Sequence, residues 1–205
     1  MIHPSVVAAF DFDKTLTNRD SLLPFLYEQT GFFQASWKII QLAPVFLKFF
    51  FGKLSRQEIK EKILTQFFKG IPMRQLKAVC KRYADKKLDA YLNAQAIERL
   101  RWHQRQGHRC ILVSASIDLY LRPWAERYGF EEILASTLEV DSKGNVTGKL
   151  KGKNCWGVEK TKRLTNYLGP KETYQLYAYG DSLGDQELLA LADYPFYRSF
   201  KTKIF

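Results

Sequence analysis

The chain has 205 residues, of which 46% are hydrophobic and 15% aromatic, enough to bury a core in one main domain with a modest insertion, which excludes a disordered chain. Its 32 basic residues against 21 acidic ones give a formal charge of +11, a balance that suits phosphate esters, acidic lipid headgroups or nucleic acid without choosing among them. Cys80, Cys110 and Cys155 are odd in number and widely spaced, so neither a disulfide framework nor a thiolate metal site is indicated and a reducing cytoplasm fits best.

In chain order, the apolar run Val6-Val7-Ala8-Ala9-Phe10 predicts a strand that runs straight into Asp11-Phe12-Asp13-Lys14-Thr15-Leu16-Thr17. Asp11 interrupts the run too early for a signal peptide, so no export is expected. Two carboxylates two residues apart would share one face of a continuing strand and repel unless a cation or a proton compensates them. Asp20 and Ser21 are candidate caps for a helix that ends near Gly31.

Residues 32–52 are very apolar, with a narrow, mostly polar stripe through Gln34, Lys38, Gln41, Val45, Lys48 and Gly52 that predicts one amphipathic helix. Its lysines and Pro44 leave it short of the apolar length a spanning helix needs. Two roles remain open, a helix packed on its neighbours or one lying on an anionic membrane, and Phe49, Phe50 and Phe51 keep the second alive. Ser55 with Glu58 is a capping-box signature for a helix ending at Gly70, and a further helix follows over 73–92. The basic residues of that helix read as a solvated face, since no interleaved aromatic ladder supports base stacking, so no nucleic-acid partner is expected.

From Asn93 the rhythm alternates. A helix closes at Gly107, and the strand 110–113 ends in Ser114. A helix over 118–128 precedes strands 133–140 and 146–150 around a turn at 141–145, a hairpin. A helix over 157–168 leads to the strand 174–179, which ends in Gly180-Asp181-Ser182-Leu183-Gly184-Asp185, and a short helix and strand close the chain. Strands separated by helices make an α/β fold with a mostly parallel, Rossmann-like sheet, whose ligand sits beyond the carboxyl ends of the strands. Asp11, Asp13, Ser114, Asp181 and Asp185 would gather there. Oxygen donors without His or Cys point to Mg²⁺ rather than zinc. Lys160 is the best-placed cation to balance a phosphate, with Lys153 the alternative.

Four ordered segments resemble the motifs of the haloacid dehalogenase superfamily: 11–17, Ser114, the stretch 154–160 and the 180–185 turn. The helical insertion after the first motif is similar to the cap of the subfamily that includes phosphoserine phosphatases and bacterial phosphatidylglycerophosphatases. The resemblance implies a core of residues 1–17 and 93–205 and a helical cap of 18–92. It implies Asp11 as nucleophile, forming an aspartyl-phosphate, and Asp13 as general acid and base. Mg²⁺ would be held by the Asp11 carboxylate, the Asp13 backbone carbonyl and Asp181, with Asp185 joining directly or through water. Ser114 and Lys160 would hold phosphoryl oxygens. The implied activity is hydrolysis of a small phosphomonoester or a lipid phosphate such as phosphatidylglycerophosphate. Phosphoserine is the alternative, weakened by the short Asp20 where a glutamate is usual, with Arg56 as the candidate cap arginine. A non-catalytic, membrane-associated protein retaining the fold is the reading of another class. The location expected is cytoplasmic, with peripheral contact at the inner membrane face left open.

Overall fold

A parallel sheet carries the molecule, in a computed structural model that describes residues 5–200. The chain runs β1 (Ser5–Phe10), a wide turn (Phe12–Leu16), α1 (Leu22–Thr30), α2 (Phe32–Gln41), α3 (Ala43–Phe50), α4 (Arg56–Phe68), α5 (Met73–Lys86) and α6 (Ala94–Arg105). It continues through β2 (Arg109–Ile117), α7 (Asp118–Arg127), β3 (Glu132–Ser136), β4 (Leu138–Val140), β5 (Val146–Leu150), α8 (Val158–Leu168), β6 (Tyr174–Gly180), α9 (Gln186–Leu191) and β7 (Tyr194–Tyr197). The five-stranded sheet has the order β3-β2-β1-β6-β7 with every pairing parallel. The chain leaves β1 toward β2 and β3 on one side and returns to β6 and β7 on the other. The crevice between β1 and β6 is therefore the switch point where such sheets bind ligands.

The strands have the near-continuous apolar character of a sheet covered on both faces. Alternation along β1 sends Val7 and Ala9 to one side, with Ile111, Val113, Leu176 and Ala178, under Leu164 of α8 and Leu188 of α9. Ala8 and Phe10 go to the other side, with Leu112 and Tyr179. That second cluster does not stop at the sheet. It continues through Trp124 into Phe25, Leu64, Phe68, Leu76 and Tyr83, so helices α1, α4, α5 and the sheet share one apolar interior.

Three predicted elements are divided, among them the helix expected over 73–92, which ends at Lys86 and is followed by a 3₁₀ turn at Leu88–Tyr91. The single helix expected over 32–52 is two, broken at Leu42, which ends α2 and precedes Pro44 in the first turn of α3. Proline is well suited to a first turn because its missing N–H lacks a helical partner there anyway. The strand expected over 133–140 also splits: β3 joins the main sheet, and β4 pairs antiparallel with β5. This small ribbon leaves the sheet to pack on α4. Gly148 makes the approach possible, since it adopts φ +86° and a Cβ there would lie 2.7 Å from Thr65 N. The capping box at Ser55 forms as expected, with Glu58 N donating to Ser55 Oγ and Ser55 N to the Glu58 carboxylate. Among the described residues, no helix is long and apolar enough to cross a membrane.

Candidate functional site

The first strand delivers its carboxylates through the wide turn at its end. Asp11 N donates to the Tyr179 carbonyl at 3.0 Å, extending the β1–β6 pairing one residue past the strand. The chain then turns back through Lys14, whose φ of +59° is unusual for a residue with a Cβ. Thr17 holds this turn: its hydroxyl accepts from Lys14 N at 3.1 Å and reaches the carbonyls of Phe12 and Arg19.

The turn separates the two aspartates. Asp11 points to the crevice between β1 and β6, where Lys160 Nζ lies 2.5 Å from its Oδ1 and 2.6 Å from Asp185 Oδ1. Asp13 points toward the α1 side, accepting from Ser21 N at 2.7 Å and from the Ser116 hydroxyl. The expectation that both carboxylates share one face fails, because the backbone ceases to be a strand at Asp11. The Asp13 side chain is accordingly outside the acidic cluster.

That cluster is Asp11, Asp181 and Asp185, all buried, each offering a carboxylate oxygen within 4.8 Å of the others. Asp185 is fixed most firmly. Its Oδ2 accepts from Asp181 N, Ser182 N and the Ser182 hydroxyl, at 3.2, 3.1 and 2.8 Å. Gly180 makes room for it, since a Cβ there would sit 2.7 Å from Asp185 Cγ. Arg198 Nε holds the Asp181 carbonyl at 2.8 Å. Three buried carboxylates with no imidazole or thiolate among them form a hard oxygen donor set, which fits Mg²⁺.

Lys160 lies in the first turn of α8 and is buried. The preceding Gly157 donates its N–H to the Gly184 carbonyl at 3.0 Å, tying the start of α8 to the loop after β6. Lys153, the alternative cation, is exposed and its carbonyl accepts from Arg163. Ser114 is buried and its hydroxyl accepts from Ser116 N at 3.1 Å. It is not the last residue of its strand. β2 runs on to Ile117, but its register against β3 shifts immediately after Ser114, so the regular ladder ends where the sequence places it.

Burial dominates the electrostatics. It pushes the Asp11 carboxyl upward against the pull of Lys160. Burial, with Asp20 adding to it, raises Asp13 to about 6, while Ser116 and Ser21 oppose the rise. Burial works against the Lys160 ammonium too, but Asp11 and Asp185 outweigh it and hold that group above the ordinary lysine range.

Above these residues opens a cavity of about 620 Å³. Its floor is Asp11, Asp13, Ser114, Lys160 and Asp181, and its other wall comes from the inserted helices. Arg56, Ile59, Lys60 and Ile63 of α4 line it at positions i, i+3, i+4 and i+7. Lys60 is the functional candidate that sequence reading missed. Its Nζ donates to the Ala115 carbonyl and to Asn154 Oδ1, the latter at 3.0 Å, and burial lowers it to about 8. Arg56 lies over the Trp156 ring at 4.7 Å. Ser116 was missed as well, although its spacing of two from Ser114 on a strand was a usable signal.

A family model of haloacid dehalogenase-like hydrolases matches residues 8–190. Protein CicA of Caulobacter vibrioides is 33% identical over 203 residues, covering 99% of this chain and 90% of that protein. Among solved structures, a Bordetella pertussis Tohama I protein described as of unknown function superposes with a TM-score of 0.79 at 23% identity, over 94% of this chain and 89% of that one. A substrate-bound phosphoserine phosphatase superposes with a TM-score of 0.60 at 20% identity, over 92% of this chain and 83% of that one.

Proposed function

The chain belongs to the haloacid dehalogenase-like hydrolases, and on that footing we propose that it is a Mg²⁺-dependent phosphomonoesterase working through an aspartyl-phosphate. The observation that carries this reading is the division of labour at the end of β1: Asp11 sits against the cationic, metal-competent crevice, and Asp13 sits apart from it, held by Ser21 N and the Ser116 hydroxyl.

An Asp11 carboxylate oxygen attacks phosphorus while the ester P–O bond breaks. Asp13, with a carboxyl raised to about 6, is poised near neutrality to give its proton to the departing oxygen. In the second half the Asp13 carboxylate takes a proton from water as that water attacks phosphorus. This releases inorganic phosphate and restores Asp11. Ser114 and Lys160 hold phosphoryl oxygens. Asp11, Asp181 and Asp185 would hold Mg²⁺ with the Asp13 carbonyl, and the ion would offset negative charge on the phosphoryl group. Residues 18–92 act as the cap that closes the cavity over the ester.

For the alcohol, Leu22, Phe49, Ile59 and Ile63 give the cap wall an apolar lining broken by Asp20 and Arg56. That lining favours an ester with an apolar portion, a lipid phosphate, over phosphoserine. The buried thiols of Cys80, Cys110 and Cys155 are consistent with a cytoplasmic setting.

The test is turnover of an aryl phosphate, which should vanish with EDTA and return with Mg²⁺. Asp11→Asn should abolish acid-stable labelling of the protein by substrate phosphate. Turnover indifferent to chelation, or labelling that survives Asp11→Asn, would overturn the reading.

A further inference from the structure

The helices α2 and α3 present their apolar residues outward. Phe33, Trp37 and Ile40 form one row at helical spacing on α2, and Leu47, Phe50 and Phe51 form a second row at the end of α3. Phe33 is 88% exposed and Phe50 82%. The inner side is occupied by Ala35, Leu42, Ile39 and Val45, which pack on the core. The polar residues between are partly turned inward as well: Gln41 accepts from Gln66 at 2.6 Å, and Lys38 lies over the Phe67 ring at 5.1 Å. The pair is therefore apolar on both sides, and only the inner side is covered. An apolar surface of this kind marks a contact with something outside the chain.

Charge says what that something is. Residues 29–57 contain no Asp or Glu but carry Lys38, Lys48, Lys53 and Arg56. Lys48 and Lys53 are exposed beside the aromatic rows. Aromatic and aliphatic tips flanked by basic residues, with no acidic group among them, match a surface that is apolar inside and anionic at its boundary. Helices of 10 and 8 residues are about 15 and 12 Å long, too short to cross a bilayer but long enough to lie in its boundary region. Phe49, on the same α3, lines the cavity. The surface thus adjoins the cavity mouth.

We propose that α2 and α3 form a docking surface for an anionic lipid bilayer, inserting Phe33, Trp37, Phe50 and Phe51 while Lys48 and Lys53 meet headgroup phosphates. The proposal extends the lipid-phosphate reading of the cavity to the surface beside it, and its test does not depend on turnover.

The experiment is vesicle co-sedimentation of the full chain without substrate, using mixed phosphatidylglycerol and phosphatidylcholine vesicles against phosphatidylcholine alone. The expected result is binding that prefers the anionic vesicles and weakens with salt. Trp37→Ser with Phe50→Ser and Phe51→Ser, all at exposed positions, should weaken it at least tenfold. Lys48→Glu with Lys53→Glu should do so to a similar extent and erase the preference for phosphatidylglycerol, since each basic residue is worth roughly fivefold. Brominated lipid should quench Trp37 emission, and Trp37→Phe should remove that quenching. No binding to either vesicle would overturn the proposal. So would a wild type that is dimeric in solution, fails to bind vesicles and becomes monomeric in the triple variant, since a second copy would then cover the surface. Aryl phosphate turnover separates the two readings: turnover without vesicle binding overturns docking alone, and vesicle binding without turnover overturns the hydrolase reading alone.

Discussion

The cavity floor and the outer face of α2 and α3 break opposite rules of protein interiors. At the floor and just beneath it, Asp11, Lys160 and Asp185 are ionisable side chains taken out of water. On α2 and α3, Phe33 and Phe50 are aromatic rings left in it. The first anomaly is compensated within the chain: Asp185 alone collects bonds from Lys160, Asp181 N, Ser182 N and the Ser182 hydroxyl. Buried charges demand such partners, since an unpaired one costs several kcal/mol. The second is barely compensated within the described chain: Phe33 meets Phe32 and Phe50 meets Phe51 edge to face, and both rings stay exposed. An exposed ring costs the fold little and contributes little to it. Compensation inside points to chemistry that the fold must hold rigid; its absence points to a partner that the fold must meet.

That contrast can be broken most forcefully at Asp13. Asp13→Asn keeps an oxygen for Ser21 N but loses the transferable proton, so turnover should fall by about 10² to 10⁴ while binding to anionic vesicles is unchanged. A parallel loss of both, measured on one preparation, would mean that floor and surface are not separable. Next comes Phe68→Ala in α4. The ring is fully buried against Phe25 and Phe67, so denaturant unfolding should show a loss of about 3 to 5 kcal/mol.

The sheet half also buries an imidazole. His103 lies between the Tyr179 hydroxyl and His108, each at 2.8 Å, and burial lowers it to about 3. The unfolded chain, with an ordinary histidine near 6.5, takes the proton first, so unfolding gains from acid. The contribution is fully present above pH 6.5 and is lost as pH falls from there toward 3. Comparing melting temperatures of wild type and His103→Gln between pH 7 and 4 should show the wild type losing stability more steeply; parallel curves would contradict it. The smallest effect belongs to Phe50→Ala, expected within about 0.5 kcal/mol of wild type. A loss as large as that of Phe68→Ala would show that the exposed face is covered after all.

What the sequence disclosed follows the range of the interactions involved. The strand ends were legible because an apolar β-run followed by Asp11 or by Gly180-Asp181 is a local pattern, and parallel topology brings such ends together. Lys160 was legible from its position in the first turn of α8. Lys60 was not, because one lysine on a mixed helix reads as solvated until Ala115 and Asn154, from distant segments, are seen around it. The face on which the two aspartates point was misread because the strand gives way to a wide turn between them, at Phe12, a backbone event that no side-chain period announces. For α2 and α3 the pattern revealed two unlike sides. Periodicity has no sign, however, and cannot say which side meets protein.

The ribbon of β4 and β5 has a mechanical consequence. Gly70 N donates to the Val146 carbonyl, Val146 N to the Ile71 carbonyl and Met73 N to the Gly144 carbonyl, at 2.8, 2.9 and 2.9 Å. The two connections to the inserted helices are themselves paired, through Asn18 N to Tyr91 O at 2.7 Å and Asn93 N to Leu16 O at 2.9 Å. The insertion is thus fastened at three places rather than slung from one flexible hinge. A swing of the whole unit would break the ribbon's bonds and split the shared apolar interior, so the insertion moves most easily at α2 and α3, whose outer residues are exposed. Amide hydrogens of those two helices should exchange by local opening, well before those of Gly70, Val146 and Met73, which should wait for global unfolding.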